Sequence, residues 1–207
     1  MTSPRNTPAS AADAAQIAHT LALALKDDPF YLGVTVDHAA SPTRRAQCLR
    51  DYFQPALAEA ADLGRLDCLG TDAAALWITS ADAEQLATAA ARKLATLRTC
   101  LGPIGFHNYQ AIVHSMDQQV PATLPPGSWY LSILGVNPGL QSQGLGARVM
   151  APALAQADAA QVSCYIETYN ARSVPFYERQ GFTEAHACFD PVTQSAYWTL
   201  VRPPRRG

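Results

Sequence analysis

The chain has 207 residues, 48% of them hydrophobic and 15% charged, with a formal net charge of -2. That is long enough to close one core without staples, and too apolar and too neutral for a disordered segment or a nucleic-acid-coating polycation. Arg202, Arg205 and Arg206 gather in a Pro-rich tail and read as a solubilising end. Cys48, Cys68, Cys100, Cys164 and Cys188 are odd in number and lack Cys-x-x-Cys spacing, which argues against a disulfide framework and against a zinc site. Residues 1–10 lack the basic start and apolar run of a secretory leader, and the Ala-rich stretches are broken by charge before they could span a bilayer. The expectation is one α/β domain over 1–207, cytoplasmic, with no metal, nucleic acid or membrane partner.

In chain order, residues 10–26 carry Ile17, Leu21 and Leu25 at helical spacing behind a Ser10 cap, and Asp27, Asp28 and Pro29 end the pattern. A second helix is predicted over 42–63, closed by Gly64 as a left-handed cap. Residues 65–70 and 73–79 flank Thr71 and Asp72 as a hairpin with Trp77 and Ile78 in its second strand. An Ala-rich helix follows from Ser80 to about Cys100. Gly102, Pro103 and Gly105 break it before a shorter helical stretch around 108–116.

Pro121, Pro125, Pro126 and Gly127 mark a turn, after which residues 129–136 are β-rich and almost continuously apolar. They read as a central strand buried on both faces. A Gly-bearing loop, a helix over 145–157, a strand over 162–168, a helix over 173–180 and a hairpin of 184–189 with 197–201 complete the chain. No internal repeat is present.

The stretch from Leu134 to Ala147 carries the chemistry. Gly144 and Gly146 allow a ligand to approach the backbone, and the free N–H groups of a first helical turn suit a pyrophosphate. Alone, the same glycines also fit a tight turn with no ligand. A dinucleotide fingerprint fits less well, because its third glycine is replaced by Val149.

The segment Gln141-Ser142-Gln143-Gly144-Leu145-Gly146-Ala147, preceded by Val136-Asn137-Pro138, resembles the Gln/Arg-x-x-Gly-x-Gly/Ala motif of the GNAT acetyltransferase superfamily. Asn170, Ser173, Phe176, Tyr177, Gly181 and Phe182 are similar to that superfamily's second motif. The wording around Trp129-Tyr130-Leu131 and Glu167-Thr168 resembles the branch containing puromycin N-acetyltransferase. The likeness is specific over 129–182 and only architectural upstream.

The resemblance implies a GNAT fold: a mixed, mostly antiparallel sheet flanked by helices, whose fourth and fifth strands, here 129–136 and 162–168, splay to admit the pantetheine arm of acetyl-CoA. It implies that Leu134 and Val136 offer backbone groups to that arm, and that Gln141, Ser142, Gln143, Gly144, Leu145, Gly146 and Ala147 hold the pyrophosphate. It further implies that Asn170 and Ser173 line the cofactor and that Tyr177 assists the departing thiolate. With reference pKa values near 10 and 8.5, full proton transfer from a Tyr to a thiolate is uphill by roughly 1.5 units, about 2 kcal/mol, so a tightening hydrogen bond is the better description.

A bare Phe-Tyr pair is otherwise core packing. The attacking amine must lose a proton, and the Glu that does this in several relatives is replaced here by Tyr130. Glu167 is the preferred substitute, against a structural ion pair at a strand end; His107 and His114 are second choices, and Cys164 reads as buried filler. The family's first strand has no clear counterpart, because residues 3–7 make a poor strand. The insertion at 80–127 is expected to shape the acceptor site or to form a dimer face.

The expected activity is acetyl-CoA-dependent N-acetylation of a small-molecule primary amine, an antibiotic or an amine metabolite, by a monomer or homodimer. A protein N-terminus or lysine as acceptor, and a non-catalytic CoA-binding regulator, are the alternatives.

Overall fold

The computed structural model describes residues 10–79 and 82–205; the poor strand at 3–7, Ser80 and Arg206 lie outside them. Helix α1 (Ala11–Leu25) starts where Ser10 accepts from the Asp13 N–H. Asp27, Asp28 and Pro29 do more than stop it: the Asp28 side chain caps a short helix, α2 (Pro29–Val34), whose first position suits proline. Helix α3 (Pro42–Leu63) leads directly into β1 (Gly64–Leu69), and β2 (Ala73–Ile78) completes the expected hairpin. Gly64 closes α3 for a different reason from the one expected. Its φ is -173°, not left-handed, and a Cβ there would lie 2.2 Å from the Trp77 carbonyl oxygen.

Helix α4 (Ala83–Cys100) is capped by Asp82. The Gly-Pro run that was expected to break helicity instead starts α5 (Gly102–Gln119), because Pro103 sits in the first turn, where a missing N–H costs nothing. Then come β3 (Trp129–Val136), α6 (Leu145–Ala159), β4 (Cys164–Thr168), α7 (Val174–Arg179), β5 (Glu184–Asp190) and β6 (Ser195–Arg202). Residues 162 and 163, expected in the strand, precede it; the Val162 N–H still bonds back to Ala157.

The described strands form one six-stranded sheet in the order β1-β2-β3-β4-β6-β5. All neighbours are antiparallel except β3 and β4. One face packs on α1 to α5 through Leu21, Phe53, Leu76, Ile133 and their neighbours, and the other on α6 and α7 through Trp77, Leu131, Met150 and Phe182. Strand β3 is central as expected and packs on both cores, although only Leu131, Ile133 and Gly135 are fully buried. The register against β2 slips between Leu76 and Trp77, so Ser132 is an extra residue on β3. This bulge reverses the alternation, and Leu131 and Ile133 therefore serve opposite cores. The Ser132 hydroxyl donates to the Leu76 carbonyl at 3.1 Å and covers part of the disturbed ladder.

Arg202 corrects the reading of the C-terminal arginines. It is 2% exposed and belongs to β6. Its guanidinium meets the Asp158 carboxylate with two bonds of 2.7 Å and donates to the Gln180 carbonyl at 3.0 Å, joining α6, β6 and the end of α7. Those bonds hold the Asp158 carboxyl below its usual range. Removing the carboxylate would strand a buried cation. Asp158→Ala is expected to destabilise the fold by about 3 kcal/mol in urea denaturation, at the low end for a broken buried pair.

Candidate active site

Strand β3 pairs with β2 along its length, and β4 pairs with β6 along its length. Between them only Trp129–Cys164, Tyr130–Tyr165 and Leu131–Ile166 are paired. Past Leu131, at the bulge, the strands part, and the edge of β3 that faces β4 is left without a ladder. Leu134 and Val136 lie on this open portion.

The loop that continues from β3 is held by its own side chains. Asn137 accepts from the Gly139 N–H at 3.1 Å, and the Gln141 amide donates to the Val136 carbonyl at 3.3 Å. Ser142 sits at φ 63°, strained for a residue with a Cβ, and Gly144 at φ 77° is the left-handed N-cap of α6. No side chain caps that helix. The first backbone bond back to the cap is from Arg148 to Gly144, so the N–H groups of Leu145, Gly146 and Ala147 have no acceptor among the described residues. They point the positive end of a 15-residue helix at the cleft.

That cleft, about 1130 Å³, brings together Leu134, Val136, Gln141, Ser142, Gly144, Leu145, Gly146, Ala147, Asn170, Ser173 and Tyr177. Gln143, expected among them, is exposed and does not line it. The cleft also takes in residues that sequence reasoning passed over: Arg172 and Arg179, and the turn from Asp27 to Pro29. Arg172 sits inside the second motif, and its charge could have marked it as a phosphate contact.

A second cavity, about 520 Å³, opens on the other side of the parted strands. Its walls come from α2 and α3 (Phe30, Tyr31, Tyr52), from the insertion (Lys93, Tyr109, Asp117) and from the sheet (Tyr130, Tyr165, Glu167). Tyr130 and Tyr165 stack at 4.6 Å where the strands diverge. Lys93 is bonded to Glu59 at 2.6 Å. The Tyr130 hydroxyl donates to Glu167 Oε2 at 2.9 Å, while Glu167 Oε1 is buried without a partner. The residue standing where relatives carry a carboxylate thus holds a carboxylate from the neighbouring strand. Burial pushes Glu167 up to about 7, against the lowering effect of the Tyr130 bond. Among the described residues no cation pairs with it.

His107 and His114, the second choices, are exposed and line neither cavity; His114 bonds Gln118 on its own helix. Cys164 is buried beside Ile166 and lines neither cavity, its thiol pushed up to about 12 by burial.

The two cavities share Tyr169 and Tyr177 where they meet. The Tyr169 hydroxyl is committed to the buried Asp190 at 2.8 Å. The Tyr177 hydroxyl makes no hydrogen bond among the described residues, and burial holds the phenol well above its ordinary pKa. Tyr177 therefore stays protonated and can donate.

An uncapped helix end, an open strand edge and a pair of cleft arginines fit a long ligand bearing amides and phosphates. The fold is that of the GNAT acetyltransferases. A structure from Corynebacterium glutamicum, described as histone acetyltransferase HPA2 and related acetyltransferase, is 18% identical with a TM-score of 0.62, covering 100% of this chain and 99% of that one. A second structure, described as an acetyltransferase, is 15% identical with a TM-score of 0.55 and covers 99% and 100%. PH1933 from Pyrococcus horikoshii OT3 is 9% identical with a TM-score of 0.55 and covers 98% of both. The sequence profile of the acetyltransferase (GNAT) family matches residues 50–182. The chain belongs to the GNAT acetyltransferase family, whose acyl donor is acetyl-CoA.

A Cβ at Gly144 would meet nothing within 4 Å, so substitution there tests backbone conformation alone. Gly144→Ala is expected to lower stability by about 1–2 kcal/mol in denaturant titration. It should also weaken acetyl-CoA binding by calorimetry, because the helix start shifts.

Proposed function

We propose that the protein transfers an acetyl group from acetyl-CoA to the primary amine of a small molecule. The observation that carries this reading is the meeting of two cavities at the parting of β3 and β4: one fits the donor, the other, about 520 Å³, is lined by α2 to α5 and the sheet. A cavity of about 520 Å³ is of the size that holds a small acceptor. The resemblance to the puromycin-type branch puts aminonucleosides and other antibiotics among the acceptors to be tried.

Acetyl-CoA supplies a thioester carbonyl held by β3 backbone near Val136, with Leu134 and Val136 bonding the arm, the α6 N-terminus at Gly144 to Ala147 taking the pyrophosphate, and Asn170 and Ser173 lining the site. The amine nitrogen forms the new C–N bond as the C–S bond breaks. Glu167 Oε1, free of any other partner, takes the amine proton directly or through water. Tyr177 donates a hydrogen bond to the developing thiolate. Burial makes complete proton transfer from this phenol harder than from an exposed one, which favours the bond over the transfer.

Incubation with acetyl-CoA and a panel of amines, aminonucleosides, amino acids and peptides, following free thiol, tests the reaction and its acceptor class together. Release of thiol with small amines is expected. Release with peptides alone would favour a protein acceptor, and acetyl-CoA binding without turnover across the panel would favour a regulator.

Tyr177→Phe is expected to lower kcat on the order of 10²-fold with little change in the KM for acetyl-CoA. Glu167 must be ionised to accept a proton, so kcat/KM should fall as pH drops below about 7, and Glu167→Gln should remove that limb along with most of the rate. Stability has the opposite sign. A folded carboxyl raised to about 7 from 4.5 keeps a proton that the unfolded chain has released between these values, so its charging opposes folding as pH rises. Glu167→Gln should therefore melt higher than wild type at pH 8, with the difference closing towards pH 5.

A further inference from the structure

Attack requires the amine nitrogen and the thioester carbon to approach within about 3–3.5 Å, so they must meet where the two cavities join. Six residues line both cavities: Leu25, Asp28, Leu134, Thr168, Tyr169 and Tyr177. Asp28 is the one carboxylate among them. Glu167 lines only the second cavity and so stands a step back from the junction.

The Asp28 side chain uses one oxygen, Oδ1, to accept from the Phe30 N–H at 2.9 Å as the cap of α2. Among the described residues no hydrogen bond engages its other oxygen and no cation pairs with it. The nearby cations are turned elsewhere: Lys26 bonds Asp27 at 2.6 Å, and Arg45 donates to Thr35 and to the Lys26 carbonyl. A cap does not need a charge, since Asn or Ser would serve as well. Phe30 and Tyr31, edge-to-face at 5.1 Å, line the second cavity with Asp28, and Tyr169 and Tyr177 line both cavities as it does. A carboxylate amid ring faces suits a primary ammonium carried on an apolar or aromatic body.

We infer that Asp28 is a specificity residue that draws the acceptor to the junction as its ammonium form, on the wall formed by the α1–α2 turn, before Glu167 removes the proton. The inference rests on reading the second cavity as the acceptor site. It adds a charge requirement to that site: cationic amines are preferred over neutral molecules of the same shape, and the preference belongs to Asp28.

Calorimetric binding of 2-phenylethylamine and of its neutral isostere 2-phenylethanol to the CoA-saturated protein tests this. Wild type should bind the amine at least about tenfold more tightly, a difference of about 1.4 kcal/mol. Asp28→Asn, which keeps the cap, should bring the two ligands within about twofold of each other, while the protein stays folded and still binds CoA. Asp28→Ser, a second capping residue, should give the same loss. A wild type without preference for the amine, or a preference that survives both substitutions while CoA still binds, overturns the role of Asp28 and leaves the donor site intact. Failure of wild type to bind CoA overturns the proposed function, and this inference with it.

Discussion

The arrangement depends on two neighbouring strands that cannot stay paired. Strand β3 is committed to β2 and β4 to β6, so the sheet behaves as two halves joined by three residue pairs. The extra residue at Ser132 bends β3 at the place where that joint ends. The parting therefore creates an opening whose unpaired backbone groups suit a ligand with amide groups of its own. The loop, the α6 N-terminus and the second motif are arranged around that opening, and the second cavity exists because the opening passes through the sheet.

The chemistry follows from which side of the sheet each group faces. The uncapped N–H groups and the cleft arginines, which suit phosphates, line one cavity. Carboxylates and aromatic rings dominate the other, where the one lysine is neutralised by Glu59. In the proposed reaction, an anionic donor and a cationic acceptor would each meet complementary charge and be kept apart until the junction. Tyr177 belongs to both sides and supplies a proton donor that burial prevents from ionising.

Much of the lining of the larger cavity was legible in the sequence because its signals are local. Gly144, Gly146, Asn170, Ser173 and Tyr177 lie within two short segments whose spacing survives any rearrangement of the rest. The mixed, mostly antiparallel sheet and the splay between β3 and β4 followed from the resemblance those segments carry. The second cavity was hidden because it is assembled from distant pieces. Asp28 reads as a helix stop until the next helix is seen to start on it. Tyr130 marked the absence of a familiar carboxylate, yet its bond to Glu167 spans two strands. Arg202 looked like a tail residue because nothing in its neighbours announces Asp158. The bulge at Ser132 leaves no trace in an apolar run, although it decides which core each residue of β3 faces.

Amide hydrogen exchange with and without acetyl-CoA tests the central claim most directly. If the parted edge of β3 and the start of α6 form the donor site, acetyl-CoA should slow exchange in Ser132 to Val136 and in Leu145 to Ala147, and leave β1 and β5 unchanged. Saturating acetyl-CoA that leaves both segments exchanging at their free rates would contradict the account.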